Sequence, residues 1–198
     1  MAPSISRVAD VLILSLVQLS CLRPGEGACR NAIQGRQELD LCGSDWEVAC
    51  ASCMPSSNMR APAPASVPGD LNDALVKAGH ISVQGNLYFG RNLEKSYPLA
   101  YEHWWLNKSV QVPESWSSLS VHHLLLEGLD YNGTVFLNGH ALGTHVGQYR
   151  QAEFDVTGLL VPGSSNEVAV LFHPPPKAFL DQWLAPGNGA QGIMNNYL

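Results

Sequence analysis

Among the glutamates where the sequence pattern predicts folded structure, six are candidates: Glu94, Glu102, Glu114, Glu127, Glu153 and Glu167. Two carboxyl groups facing each other across a cleft can break an acetal bond, one as acid and the other as nucleophile. Glu102 and Glu127 fall on expected strands, and Glu94 and Glu114 in expected loops. No spacing among the six sets two of them opposite each other. Cys50-Ala-Ser-Cys53 offers thiol chemistry, as a redox pair or as half a zinc site. A redox pair normally adjoins a strand-helix unit, and no second pair with zinc spacing exists, so a structural or free-thiol role is expected. His122, His123, His140, His145 and His173 could ligate metal. The adjacent His122 and His123 point to opposite faces of a strand, and scattered histidines are more often satisfied by ordinary hydrogen bonds. Asp155 and Thr157 suit a turn cap at Gly158 better than a calcium site. Ser, His and Asp all occur, but without a nucleophile-elbow pattern. No catalytic residue, metal site or cofactor is expected from these patterns.

Binding residues are a separate matter. Trp104 and Trp105 could stack on a sugar ring, but adjacent strand residues face opposite ways. One should enter the core while the other meets solvent or a neighbouring domain. Arg91 and Asn92 could hydrogen-bond a glycan or simply brace their loop.

The chain has 198 residues, 45% hydrophobic and 14% charged, enough for one good-sized core. A net charge of −6 disfavours a nucleic-acid partner, and no apolar run is long enough to span a membrane. Arg7, the apolar run Val11 to Leu22 and the small residues Gly25, Gly27 and Ala28 read as an export signal over 1–28. Its removal discards Cys21 and leaves Cys29, Cys42, Cys50 and Cys53, an even set that allows up to two disulfides in three connectivities. Export makes Asn107 and Asn132 glycan acceptors, since each opens an Asn-X-Ser/Thr triplet.

Residues 29–40 show no periodicity, and Leu41 to Ala49 reads as a strand. The Pro-rich stretch Ser52 to Pro68 should be a surface loop. Asp70 caps a short helix with Leu71, Leu75 and Val76 as its apolar stripe, ended by Gly79. Ile81 to Asn92 is expected as an ordered loop. Strands follow over Tyr101 to Val112, Leu119 to Leu129, Thr134 to Leu137, Ala141 to Thr144, Glu153 to Val156 and Glu167 to Phe172. Asn138-Gly139 suits a tight type I′ hairpin, Asn132-Gly133 a similar turn, and Pro162-Gly163 another. Many short strands with one early helix predict an all-β antiparallel sandwich over 41–175. Residues 176–198 read as a linker toward a further domain.

Three segments carry a resemblance. V-P-G-D-L at 67–71 leads into the helix and then N-L-Y-F-G-R-N-L at 86–93. Y-E-H-W-W-L-N-K-S-V-Q-V-P follows at 101–113. L-E-G-L-D-Y-N-G-T-V-F-L-N-G-H-A-L-G-T-H-V-G-Q-Y at 126–149 continues through F-D-V-T-G-L-L at 154–160 to N-E-V-A-V at 166–170. Together they resemble the N-terminal domain of glycoside hydrolase family 2, most closely its β-mannosidase branch.

The resemblance implies a galactose-binding-like jelly roll in carbohydrate catabolism. It also implies partners: a β-mannoside-type glycan and a (β/α)₈ barrel that carries the family's catalytic carboxylates. This chain shows no βαβα alternation and no room for such a barrel, which takes ~250 residues. It is therefore expected to be an O-glycosyl hydrolase by family but inactive alone. Asp181-Gln182-Trp183 only faintly echoes the Gly-Trp-Asp-Trp segment of that branch and takes no role from it. The competing expectation is a stand-alone carbohydrate-binding or adhesion module, and a non-functional remnant is a third. The expected destination is the secretory route: secreted, vacuolar or lysosomal.

Overall fold

Alternating apolar and polar residues between short turns produce ten strands and two short helices among the described residues. The computed structural model describes the backbone of Val11–Leu16 together with residues 36–89 and 91–183. In chain order the elements are β1 (Val11–Leu16), β2 (Glu38–Asp40), β3 (Gly43–Cys50), β4 (Ala63–Val67), α1 (Leu71–Lys77), β5 (Trp104–Gln111), β6 (Val121–Leu126), β7 (Asn132–Leu137), β8 (His140–Val146), β9 (Ala152–Asp155), β10 (Ser165–Phe172) and α2 (Lys177–Trp183). One sheet has the order β4-β3-β5-β10-β7-β8, the other β2-β1-β6-β9.

All pairings in the six-stranded sheet are antiparallel, as expected, and β4, β5 and β7 alternate strictly. The inward residues of β5 are Trp104, Leu106, Lys108 and Val110, and they are buried while Trp105, Asn107, Ser109 and Gln111 are not. Trp46 and Val48 of β3, Val135 and Leu137 of β7, and Val168 and Val170 of β10 fill the same layer. Leu124 and Leu126 of β6 meet them from the smaller sheet. Lys108 is the one charged side chain in that inner row. Its ammonium reaches the Leu41 carbonyl (3.0 Å) and Asp45 Oδ1 (2.7 Å), lying 5.6 Å from the centre of the Trp46 ring. The hydrogen bond from Lys108 holds the Asp45 carboxyl below its usual range.

The turn chemistry holds where it matters most. Asn138 and Gly139 take φ of 50° and 79° between β7 and β8, the left-handed pair a type I′ hairpin requires. Asp70 accepts from the amides of Asn72 (2.6 Å) and Asp73 (3.3 Å) and starts α1, whose Leu71, Ala74 and Leu75 are buried.

Four expectations need correction. The Pro-rich stretch 52–68 is not all loop: Ala63–Val67 forms β4 on the sheet edge, where Pro64 lacks only a donor that an edge strand can spare. Asn132-Gly133 is no turn; both residues open β7. The expected linker begins with α2, whose Leu180 is fully buried. Tyr101 Oη donates to Asp181 Oδ1 (3.0 Å), tying α2 to the 3₁₀ stretch Asn92–Tyr101.

The smaller sheet departs from the all-antiparallel expectation, because β1 runs parallel to both β2 and β6. Val11–Leu16 belongs to the run that reads as an export signal, and here its backbone bridges β2 to β6. The rest of that run and residues 29–35 lie outside the described residues.

Candidate functional site

One end of the sandwich gathers the chemistry-bearing side chains. There β3 and β10 finish, β5 and β7 begin, and the loop 81–92 crosses the start of α1. Tyr88 Oη donates to Asp70 Oδ2 (3.1 Å), fastening the loop to the helix cap. Burial raises the Asp70 pKa, against the lowering effect of the Asn72 amide and the Tyr88 hydroxyl. A small cleft at this end has mostly hydrocarbon walls, Leu71, Trp104, Phe172 and Pro174 among them, with Glu102, Asp130, Tyr131 and His173 as its titratable groups. Tyr131 lines it, 55% exposed, and Tyr88 and Phe89 stand out from the neighbouring loop at 54% and 75%.

The sequence candidates separate cleanly. Arg91 is exposed, and its guanidinium is engaged by the Glu94 carboxylate at 2.7 and 2.8 Å. Asn92 spends its amide donors on the carbonyls of Gln84 (3.0 Å) and Asn86 (2.9 Å), so it braces the loop. Trp104 is 1% exposed and donates from Nε1 to the Leu99 carbonyl (3.1 Å). It is a core residue with no ring face left for a sugar, a correction to the expectation that it could stack on one. Trp105 faces outward, tilted against Phe136 with ring centroids 5.3 Å apart. Sequence reasoning passed over Tyr88, Phe89 and Tyr131 as individual stacking residues; their signal is exposure, which no periodicity records.

The register explains what else meets. Trp105 pairs with Leu171 and Leu171 with Thr134, while Asn107 pairs with Ala169 and Ala169 with Phe136. Asn107 and the β7 residue Asn132 therefore share the outer face of the six-stranded sheet, both half-buried. One row beyond β5 and β10, His103 meets His173 with Nδ1 atoms 3.1 Å apart, and Thr134 Oγ1 lies 2.8 Å from His173 Nε2. Burial and the neighbouring His103 push the His173 imidazole below its usual pKa. His122 is buried and lies 3.2 Å from the Trp116 carbonyl, whereas His123 faces out to Glu153 at 2.9 Å, so the two point to opposite faces of β6 as expected. Thr157 N–H donates to Asp155 Oδ1 (2.9 Å), the expected turn cap.

Cys50 and Cys53 form a disulfide. Cys42 is half-buried, and Cys29 lies outside the described residues. Glu102 accepts a hydrogen bond from the Ser52 hydroxyl. Trp183 ends α2.

Comparison with known proteins accords with this architecture. Residues 42–194 match the family described as glycosyl hydrolase 2 galactose-binding domain-like. A mannosylglycoprotein endo-beta-mannosidase from Lilium longiflorum is 30% identical over 146 residues, which are 70% of this chain and 14% of the lily protein. The crystal structure of a beta-D-mannosidase from Dictyoglomus thermophilum superposes with a TM-score of 0.61 at 26% identity, covering 76% of this chain and 18% of that one. The chain thus spans well under a quarter of either protein. It belongs to the glycosyl hydrolase 2 galactose-binding-domain-like family.

Proposed function

We propose that this chain is the non-catalytic sandwich of a glycosidase acting on β-mannosidic bonds, working beside a catalytic (β/α)₈ barrel. The observation that carries this reading is the superposition on a β-mannosidase over 76% of the chain, of which the chain makes up only 18%. The site geometry supports it. Among the glutamates, Glu94 is held by Arg91, Glu102 by Ser52 and Glu153 by His123. These carboxylates serve local structure. The exposed Tyr88, Phe89 and Tyr131 give the barrel and its glycan an aromatic rim.

The test is an assay of the 198-residue chain on aryl β-mannosides, β-galactosides and β-glucosaminides, with and without a β-mannosidase barrel joined to it. No turnover is expected from the chain alone, and turnover once a barrel is joined to it. Activity of the chain alone that one Glu→Gln change abolishes would sink the proposal. The second reading, a stand-alone carbohydrate-binding module, draws on the same exposed aromatics. Tight binding of mannan by the isolated chain, lost in Tyr88→Ala and Tyr131→Ala, would favour it.

Export through the secretory route to the outside, a vacuole or a lysosome is part of the proposal. Protein from a secreting host should carry N-glycans at Asn107 and Asn132, detected as mass increments on their peptides. Asn107 lies within β5 on the Trp105–Phe136 face, away from the aromatic end, whereas Asn132 opens β7 beside Tyr131. Cleavage after the signal would also remove β1, so the N-terminal residue of the secreted chain is a second readout. Unmodified peptides with Met1 retained would exclude export.

A further inference from the structure

Cys50 closes β3, Cys53 follows three residues on, and Glu102 lies just ahead of β5 at the same end of the sandwich. The two sulfurs and a carboxylate oxygen of Glu102 all lie within 4.8 Å of one another. The cysteines are buried, at 3% and 8% exposure, while Glu102 is half-exposed. Two contacts already dress this group. Cys53 N–H donates to Cys50 Sγ at 3.0 Å, a bond that favours the charged form of a thiol once the pair is reduced. The Ser52 hydroxyl donates to Glu102 Oε2, as an outer partner orients a ligating carboxylate.

We propose that Cys50, Cys53 and Glu102 form a zinc site that the Cys50–Cys53 disulfide closes, so that this end of the sandwich holds Zn²⁺ only when the pair is reduced. A cellular dithiol would open it: two electrons and two protons turn the S–S bond into two S–H groups, and the dithiol leaves as its own disulfide. Zinc then displaces both thiol protons to solvent and gains two Zn–S bonds and one Zn–O bond, with water in the fourth position. Zn–S bonds of ~2.3 Å put tetrahedral sulfurs ~3.8 Å apart, a separation that two-residue spacing between cysteines commonly supports. Two thiolates with one carboxylate suit zinc and exclude magnesium and calcium, which take oxygen ligands.

In the sequence this motif is half a site, because no second Cys pair exists. The third ligand arrives from the approach to β5, brought alongside by the pairing of Cys50 with Trp104. The two states differ in what they bind together. The disulfide closes only the short loop 50–53, whereas zinc would tie β3 to Glu102 and hence to the cleft beside His173. The redox poise of the compartment selects the state, with the disulfide favoured along the secretory route.

The test uses the full chain reduced with a phosphine, which takes up oxygen from water as it cleaves the disulfide. Co²⁺ serves as the coloured stand-in for zinc. The reduced chain should develop near-ultraviolet thiolate-to-cobalt absorption that saturates at one ion per chain and is bleached by Zn²⁺. The oxidised chain should show none. Cys50→Ser and Cys53→Ser should each abolish the saturable band. Glu102→Gln keeps a partner for Ser52 and should fold, as circular dichroism would verify, yet bind cobalt about tenfold or more weakly. A reduced chain with no such band overturns the proposal. So does Glu102→Gln binding as tightly as the wild type, which would leave Glu102 outside the site.

Discussion

Trp104→Ala should cost about 3–5 kcal/mol of unfolding free energy, and Trp105→Ala only about 1–2 kcal/mol. The residues are neighbours of the same type, so the contrast isolates what the sheet does with each. Trp104 is 1% exposed, pairs across the ladder with Cys50 and Phe172, and satisfies the Leu99 carbonyl. Alanine there opens a cavity beneath the start of β5, while the Leu99 carbonyl keeps the Glu102 N–H (3.2 Å) as its donor. Trp105 loses its tilted contact with Phe136 and some half-buried area, with no cavity left in the core. A domain of this kind has ~5–15 kcal/mol in total, so the first variant should lie near its folding limit. Urea denaturation followed by circular dichroism gives both numbers. Equal losses in the two variants would mean that the assigned inner and outer faces of β5 are wrong.

That assignment was half legible in the sequence. Period-two alternation makes Trp104 and Trp105 face opposite ways, but it does not say which one enters the core. The answer comes from β3 and β10, whose inward residues meet the even-numbered side of β5. The hairpin at Asn138-Gly139 and the cap at Asp70 were fully legible, because each rests on a local conformation that few residues adopt. Strand β4 was hidden by its prolines, which argue against a sheet only where both edges must pair. Asn132-Gly133 misled for the opposite reason: a turn-forming pair was built into a strand by the registers of β7 with β8 and β10. Helix α2 gave little warning, since its seven residues bury Leu180 against a partner chosen by tertiary structure.

The candidate site was less legible than the fold. Arg91 and Asn92 have side chains rich in donors, yet Glu94, Gln84 and Asn86 already take those donors. The contacts that define this end of the sandwich join residues far apart in sequence. His103 meets His173, Tyr88 meets Asp70, and Glu102 meets the Cys50–Cys53 loop. Strand register creates the first and third of these, and register is set by the whole sheet. Residue types at short spacing could reveal only the Cys50–Cys53 half.

Asn166→Ala should destabilise the chain by about 3 kcal/mol or more, although it removes no apolar contact of note. Asn166 is 1% exposed and knots the turn before β10. Its Oδ1 accepts from Val161 N–H and from Asn138 Nδ2, both at 2.8 Å. Its Nδ2 donates to the carbonyls of Val161 (2.9 Å) and Ser164 (3.1 Å). Asn138 extends the knot to the Leu159 carbonyl and the Glu167 amide, joining the β7–β8 hairpin to β10. Alanine takes the partners from both the Val161 N–H and its carbonyl, while Ser164 keeps the Val112 N–H and Asn138 keeps the Leu159 carbonyl. Asn166→Asp is the sharper variant, because it keeps the shape and replaces the donor with an oxygen facing two carbonyls. Burial and those carbonyls would raise the folded pKa of the new carboxyl above its unfolded value of ~3.9. Between the two values the folded state binds more protons than the unfolded, so the contribution of this group to stability falls as pH rises. The deficit of Asn166→Asp relative to wild type should therefore be large at pH 7 and shrink as pH approaches 4, while that of Asn166→Ala stays flat. Urea midpoints for the three proteins at both pH values provide the check. A deficit of the Asp variant that does not change with pH would mean the side chain has swung out to water, and that the amide knot does not hold the turn.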